Sequence, residues 1–198
     1  EEDIRPSLAA RGIRIVEPEL LGPTALADLD RDFADRIFPV LTPLADAPGR
    51  PFPYISTLSL SIAVRLHDPV DGGDAFARIK VPREVLERFV PAGDGVFVPL
   101  ELLIARHLTE LFPGVDIVSH SFFRVTRDAD FTVSDEADDL LQAVERELSR
   151  RRFGGPVRLE VEARSSNTLL EEIKEGIGVT DSEVYPVSSL LDLTALWQ

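Results

Sequence analysis

Methionine and cysteine are both missing from these 198 residues, tryptophan occurs once and tyrosine twice. Without cysteine there is no disulfide framework, no thiolate zinc site and no cysteine nucleophile, a composition compatible with a reducing compartment. Without methionine there is no natural start, so a sequence opening at Glu1 reads as a piece of a longer chain. Basic residues are also short, with 21 Lys and Arg against 35 Asp and Glu, a net charge of −14. Nucleic-acid phosphates and anionic lipid are held largely by Lys and Arg displacing counterions, so neither is expected as a partner. No run approaches the roughly 20 apolar residues of a membrane helix, and the first residues lack the basic-then-apolar pattern of a signal peptide. A cytoplasmic chain that does not insert into membranes is the expectation.

What is present fits a single packed unit, since 44% hydrophobic and 28% charged residues are ordinary for a globular core. A short helix over 4–10 ends at Gly12, and 13–16 reads as a short strand. From Thr24, expected as N-cap, Leu26, Leu29, Phe33 and Ile37 recur at helical spacing until Pro39 stops the helix. Residues 42–57 carry Pro43, Pro48, Pro51 and Pro53, which predicts a long stiff loop. Leu58, Leu60, Ile62, Val64 and Leu66 then alternate with Ser and Arg positions, predicting a strand with one core face and one wetter face. The turn Asp71-Gly72-Gly73-Asp74 predicts an antiparallel partner over 75–81. A strand at 96–98 precedes a helix opened by Pro99 and carrying Leu103, His107 and Leu111, and 115–127 reads as a long strand bulged at Phe122-Phe123. Ser134 is expected to cap a helix through Leu148, followed by a strand over 157–163 and a helix through Leu169, Leu170, Ile173 and Ile177. Hairpins outnumber parallel crossovers, so the fold class is α+β with a mainly antiparallel sheet packed with several helices.

Chemistry is sparse. His67, His107 and His120 are the three histidines, and none has a metal-ligand spacing or an evident catalytic partner, so each reads as structural. Asp128, Asp130, Asp135, Glu136, Asp138 and Asp139 could suggest a divalent cation. Helix-dipole complementarity, with Arg150, Arg151 and Arg152 at the other end, accounts for them better. Arg124 and Arg127 are candidate phosphate contacts but read first as carboxylate partners. Gly176 and Gly178 follow a helix rather than open one, so they read as its termination. No catalytic, cofactor-binding or metal-binding residue is assigned. Phe52, Tyr54 and Ile55, on the proline-stiffened loop, are the expected interface residues.

The stretch IFPVLTPLADAPGRPFPYISTLSLSIAV (37–64) resembles the head domain of the polyphosphate kinase family. FARIKVP (76–82), FVPLELLIARHLTELFPG (97–114), FFRVTRDAD (122–130), RRRFGGPVRLEVEA (150–163) and the terminal LTALWQ follow in the family's order. Thr57, Ser61 and Asp128 stand where the family commonly has Asn. The resemblance implies a head domain over 1–198, with 1–57 a helical lead-in and proline-rich loop, similar to the phox-homology type. It also implies a parent that reversibly transfers the terminal phosphate of ATP to polyphosphate with magnesium, using catalytic domains outside this chain. On this reading the fragment binds no cofactor, is inactive alone, and serves dimerisation, its partners being neighbouring domains and a second copy. The competing reading is a stand-alone phox-homology-like module for a phospholipid or protein.

Overall fold

The computed structural model describes residues 4–45, 52–128 and 154–197. Its centre is the hairpin the Asp-Gly-Gly-Asp turn predicts, in which β3 (Leu60–His67) and β4 (Asp74–Lys80) pair antiparallel with Ile62 opposite Ile79. Gly72 takes the left-handed conformation (φ 69°) that closes the turn at no steric cost. The other edge of β3 pairs antiparallel with β7 (Asp116–Arg127), and β7 pairs with β8 (Pro156–Glu162). A two-residue strand, β2 (Leu44–Ala45), lies beyond β4, and β9 (Val184–Val187) runs parallel to β8, giving the order β2-β4-β3-β7-β8-β9. A second sheet joins β1 (Arg14–Ile15), β6 (Val96–Pro99) and β5 (Phe89–Pro91). The mixed, mostly antiparallel arrangement is the α+β class expected.

Helices cover both faces of the large sheet. One face, with Leu60, Ile62, Val64, Ala77, Ile79 and Phe122, is buried under α2 (Pro23–Asp32), the turns that follow it, and α3 (Leu100–Arg106) with α4 (Leu108–Leu111). The opposite face, with Ala63, Phe76, Phe123, Val125, Leu159 and Val161, is buried under α5 (Asn167–Ile177). The expected wet face of β3 therefore does not exist, because α5 lays Leu169, Ile173 and Ile177 over Ala63 and its neighbours. Full burial of such a side chain contributes about 1.5–3 kcal/mol. Ser166 caps α5 by accepting from the Leu169 N–H at 3.3 Å, and Gly178, at φ 83°, ends it as expected.

Several expectations need correction. The N-cap of α2 is Gly22, with Pro23 in the first turn, rather than Thr24. Pro39 does not stop the chain's helical course at once. Residues Phe33–Ile37 form a wide turn and Phe38–Val40 a 3-10 turn, whose first positions need no N–H and so accept Pro39. The helix after Pro99 is two pieces, broken at His107 (φ −104°, ψ 19°). The bulge in β7 lies at Val118, since Arg65 faces Ser119 and Leu66 faces Ile117, and Phe122 and Phe123 instead point into opposite cores. The loop 42–57 is shortened by β2. The helix expected from Ser134, its carboxylates beyond Asp128, and Arg150, Arg151 and Arg152 lie outside the described residues.

Candidate functional site

The segment after the prolines is fastened to the α5 side of the sheet by two arginines. Arg78, on β4, donates from Nε to the Ser61 hydroxyl at 3.1 Å and from Nη1 to the Tyr54 carbonyl at 3.2 Å. It is 5% exposed, no carboxylate pairs with it among the described residues, and its Nη2 has no hydrogen-bond partner. Burial pulls its pKa below the ordinary value for arginine. Arg127, at the end of β7, donates to the carbonyls of Ile55 (2.7 Å) and Gly154 (3.0 Å), and its guanidinium lies 4.8 Å from the Tyr54 ring centroid.

These clamps sort the three expected interface residues. Ile55 is 1% exposed and part of the core. Phe52 packs on Phe76, ring centroids 4.8 Å apart, in a notch where a Cβ on Gly176 would overlap its ring. Tyr54 is 43% exposed. Two of the three thus serve the domain's own packing, and Tyr54 remains as the outward-facing member.

The histidines are placed apart. His67 Nδ1 lies 2.8 Å from Asp74, across the hairpin end. His120 meets the edge of the Phe122 ring, centroids 5.9 Å apart. His107 is buried and stacks on Phe33 at 4.0 Å, with Nε2 3.0 Å from Asp30 and Nδ1 2.7 Å from Glu110. Burial opposes ionisation of Asp30, but Arg106 and His107 outweigh it and hold its pKa below 3.8. No group of three or more His, Asp and Glu is arranged to hold a metal ion among the described residues. The Gly176–Gly178 run forms the end of α5.

Sequence reasoning missed the most buried charge cluster. Arg88 and Glu101, 1% and 2% exposed at their side chains, form an ion pair, and Arg88 Nη2 also donates to the Leu191 carbonyl. Next in the chain, Asp192 pairs with Arg83 and lies 3.8 Å from Arg124, while its Oδ1 accepts from the Thr194 hydroxyl at 2.6 Å. Arg124 also reaches Glu160 at 3.0 Å, the carboxylate pairing expected for it. Arginines from three places in the sequence so hold residues 191–194 against the sheet. Between Arg83 and Arg88 the sequence reads Glu-Val-Leu-Glu, which offers nearer carboxylates than Glu101 or Asp192, so no local signal pointed to these partners. A cleft of about 390 Å³ opens beside this cluster, between Ile15–Glu17, Glu101-Leu102 and Val187–Leu191.

A family model described as the polyphosphate kinase middle domain matches residues 25–198. Named polyphosphate kinases from Mycolicibacterium gilvum and Streptomyces coelicolor are 52% and 49% identical over the whole chain, which spans 28% and 26% of their lengths. The crystal structure of polyphosphate kinase from Porphyromonas gingivalis superposes with a TM-score of 0.77 at 25% identity, over 98% of this chain and 28% of that one.

Proposed function

This chain belongs to the polyphosphate kinase family through its middle domain, and from that premise we propose that it is the structural head domain of a phosphotransferase that reversibly moves the terminal phosphate of ATP onto polyphosphate. The observation that carries the reading is an overall identity of about half, over the whole chain, to enzymes of that name, of which the chain makes up 28% or less. ATP and magnesium act, on this proposal, in domains outside these residues. The separate placement of His67, His107 and His120, each engaged with neighbours of its own, supports assigning the chemistry elsewhere.

The proposal includes a homo-oligomer, with Tyr54 as the remaining candidate contact of the stiff segment, and a fold of the phox-homology type, in keeping with an antiparallel sheet packed by helices. It includes a cytoplasmic location, compatible with the absence, among the described residues, of a helix long and apolar enough to cross a membrane. A stand-alone lipid- or protein-binding module draws no support from relatives that carry this sequence within much longer chains.

The test is a pair of assays with labelled ATP and magnesium. The 198-residue chain is expected to give neither phosphohistidine nor polyphosphate, and the longer polypeptide containing it is expected to give both. Failure of the longer polypeptide to extend polyphosphate would overturn the reading.

A further inference from the structure

Aspartate followed by glycine is the pair in which a main-chain nitrogen reaches the preceding side-chain carboxyl most freely, because no Cβ stands beside that nitrogen. The chain holds two such pairs, Asp71-Gly72 and Asp94-Gly95, and its one asparagine, Asn167, is followed by threonine at the start of α5. Gly72 and Gly95 share a left-handed φ, 69° and 68°, so what separates the two pairs is the packing around them.

Asp94 is exposed, but Gly95 lies against the main chain of Gly12, where a Cβ on it would stand 1.9 Å from the Gly12 carbonyl oxygen. The Gly95 carbonyl also accepts from the Arg14 N–H at 2.8 Å, the bond that leads β1 into its pairing with β6. Rotating the 94–95 peptide would break both contacts. Asp71 and Gly72 instead occupy the tip of the β3–β4 hairpin, exposed together with Val70 and Gly73, and nothing lies within 4 Å of the place a Cβ on Gly72 or Gly73 would take. One residue braces this tip. Asp68 takes the Val70 and Asp71 N–H groups on its carboxylate, at 2.8 and 3.2 Å, and the Gly72 N–H on its carbonyl at 2.8 Å. Bonds of this kind on an exposed turn open locally long before the fold does. Asp68 itself is spared the same reaction, since Pro69 has no N–H.

We propose that the Asp71–Gly72 bond is a modification site, at which the folded chain converts aspartate to isoaspartate and so becomes a substrate for a carboxyl methyltransferase. The Gly72 nitrogen attacks the Asp71 side-chain carboxyl carbon. A C–N bond forms, and the carboxyl hydroxyl leaves with the amide proton as water. Water then adds to the cyclic imide. Cleavage between the nitrogen and the main-chain carbonyl carbon leaves the chain running through the former side chain, with a free carboxylate on the α-carbon, and cleavage on the other side restores aspartate. One water leaves and one returns, so no oxidant or other reactant is consumed. In the second step a carboxylate oxygen takes the methyl group of S-adenosylmethionine, the S–CH3 bond breaks and S-adenosylhomocysteine departs. Nothing in this chemistry depends on phosphate transfer.

The hairpin can carry the change. Isoaspartate adds one main-chain atom at the tip, whereas the ladder from His67 opposite Asp74 to Ser61 opposite Lys80 lies below it. Asp74 is pinned at the top of that ladder by Arg65 at 2.7 Å and His67 at 2.8 Å. Exposed loop tips are where chains absorb inserted length best. The product is a folded chain marked at an accessible turn, whereas the same insertion at Asp94 would push Gly95 away from Gly12.

The test is to age the purified protein at neutral pH and to read isoaspartate by methyl transfer from labelled S-adenosylmethionine, using a purified isoaspartyl carboxyl methyltransferase. The intact protein serves as acceptor in one arm, and its separated tryptic peptides serve in the other. Methyl incorporation into the intact protein is expected to rise with time. Among the peptides it should rise in 66–78, which holds Asp71, and stay at background in 89–106, which holds Asp94. The same protein aged unfolded in urea should give signal in both peptides. Asp71→Glu keeps the charge but lengthens the side chain beyond the favoured ring, and is expected to lose the signal. Asp68→Ala releases the brace and is expected to raise the rate several-fold. Equal incorporation in the two peptides of the folded protein, or none in 66–78 while the unfolded chain gives it, would overturn the proposal.

Discussion

Leu58 and Asp192, far apart in sequence, are held in the same left-handed conformation on either side of the Arg124 guanidinium. Glycine at position 58 would keep the turn and release the strain, while adding freedom to the unfolded chain. The relief of roughly 1–2 kcal/mol exceeds the entropic loss of about 0.4–1 kcal/mol, so Leu58→Gly is expected to stabilise the 198-residue chain slightly. A lower urea midpoint would mean that the Leu58 side chain is needed for the domain's own packing.

Phe52 and Gly176 fit as ring and notch. Gly176→Ala is expected to destabilise by about 1–3 kcal/mol, the cost of overfilling a packed site, despite alanine's better helix propensity. Phe52→Ala combined with it should recover part of the loss, giving a coupling measurable in a double-mutant cycle. Additive effects would separate the two residues. Tyr54→Ser, by contrast, is expected to leave the thermal transition nearly unmoved.

The Arg88–Glu101 pair lies almost out of reach of water. Arg88→Met alone leaves a buried carboxylate uncompensated and is expected to cost about 3–5 kcal/mol. Arg88→Met with Glu101→Leu removes both charges and should regain most of that loss, as buried pairs often exchange for apolar groups at little cost. A double variant no better than the single one would place the main contribution in the bond from Arg88 to the Leu191 carbonyl.

Asp30 sets an acid limit. Its pKa is held below 3.8 in the folded chain, so the folded state binds its proton less readily than the unfolded state does. The stability it contributes is complete above the ordinary carboxylate value and is lost as pH falls through the lowered one. Asp30→Asn should therefore flatten the decline of the urea midpoint below about pH 4. An unaltered acid limb would show that other carboxylates govern it.

The β3–β4 hairpin and α5 were legible in the sequence because their signals are local: a Gly-Gly turn between alternating strands, and apolar residues at helical spacing with a glycine end. The second buried face of β3 was not. Ser61 and Arg65 read as wet positions, yet Ser61 is 0% exposed because Arg78 bonds it and α5 covers its neighbours, facts that depend on residues distant in sequence. The strands β2, β5 and β9 are too short to show periodicity and exist through the partners that pair with them. The stiffness of the proline segment was legible, but the division between inward Phe52 and Ile55 and outward Tyr54 required the clamps of Arg78 and Arg127.

The pairing of β3 with β7 joins segments separated by β4, β5, β6, α3 and α4. The hairpin of β3 with β4 can form within microseconds, whereas the closure that brings Leu60 to Arg124 must first confine the long intervening chain. Assembly of this molecule is thus governed by its middle seam, and stretches that look self-sufficient wait for β7 before they acquire lasting order. A nascent chain ending before Arg127 would present the apolar edge of β3 uncovered, so during synthesis the hazardous interval is the one in which β7 is still incomplete.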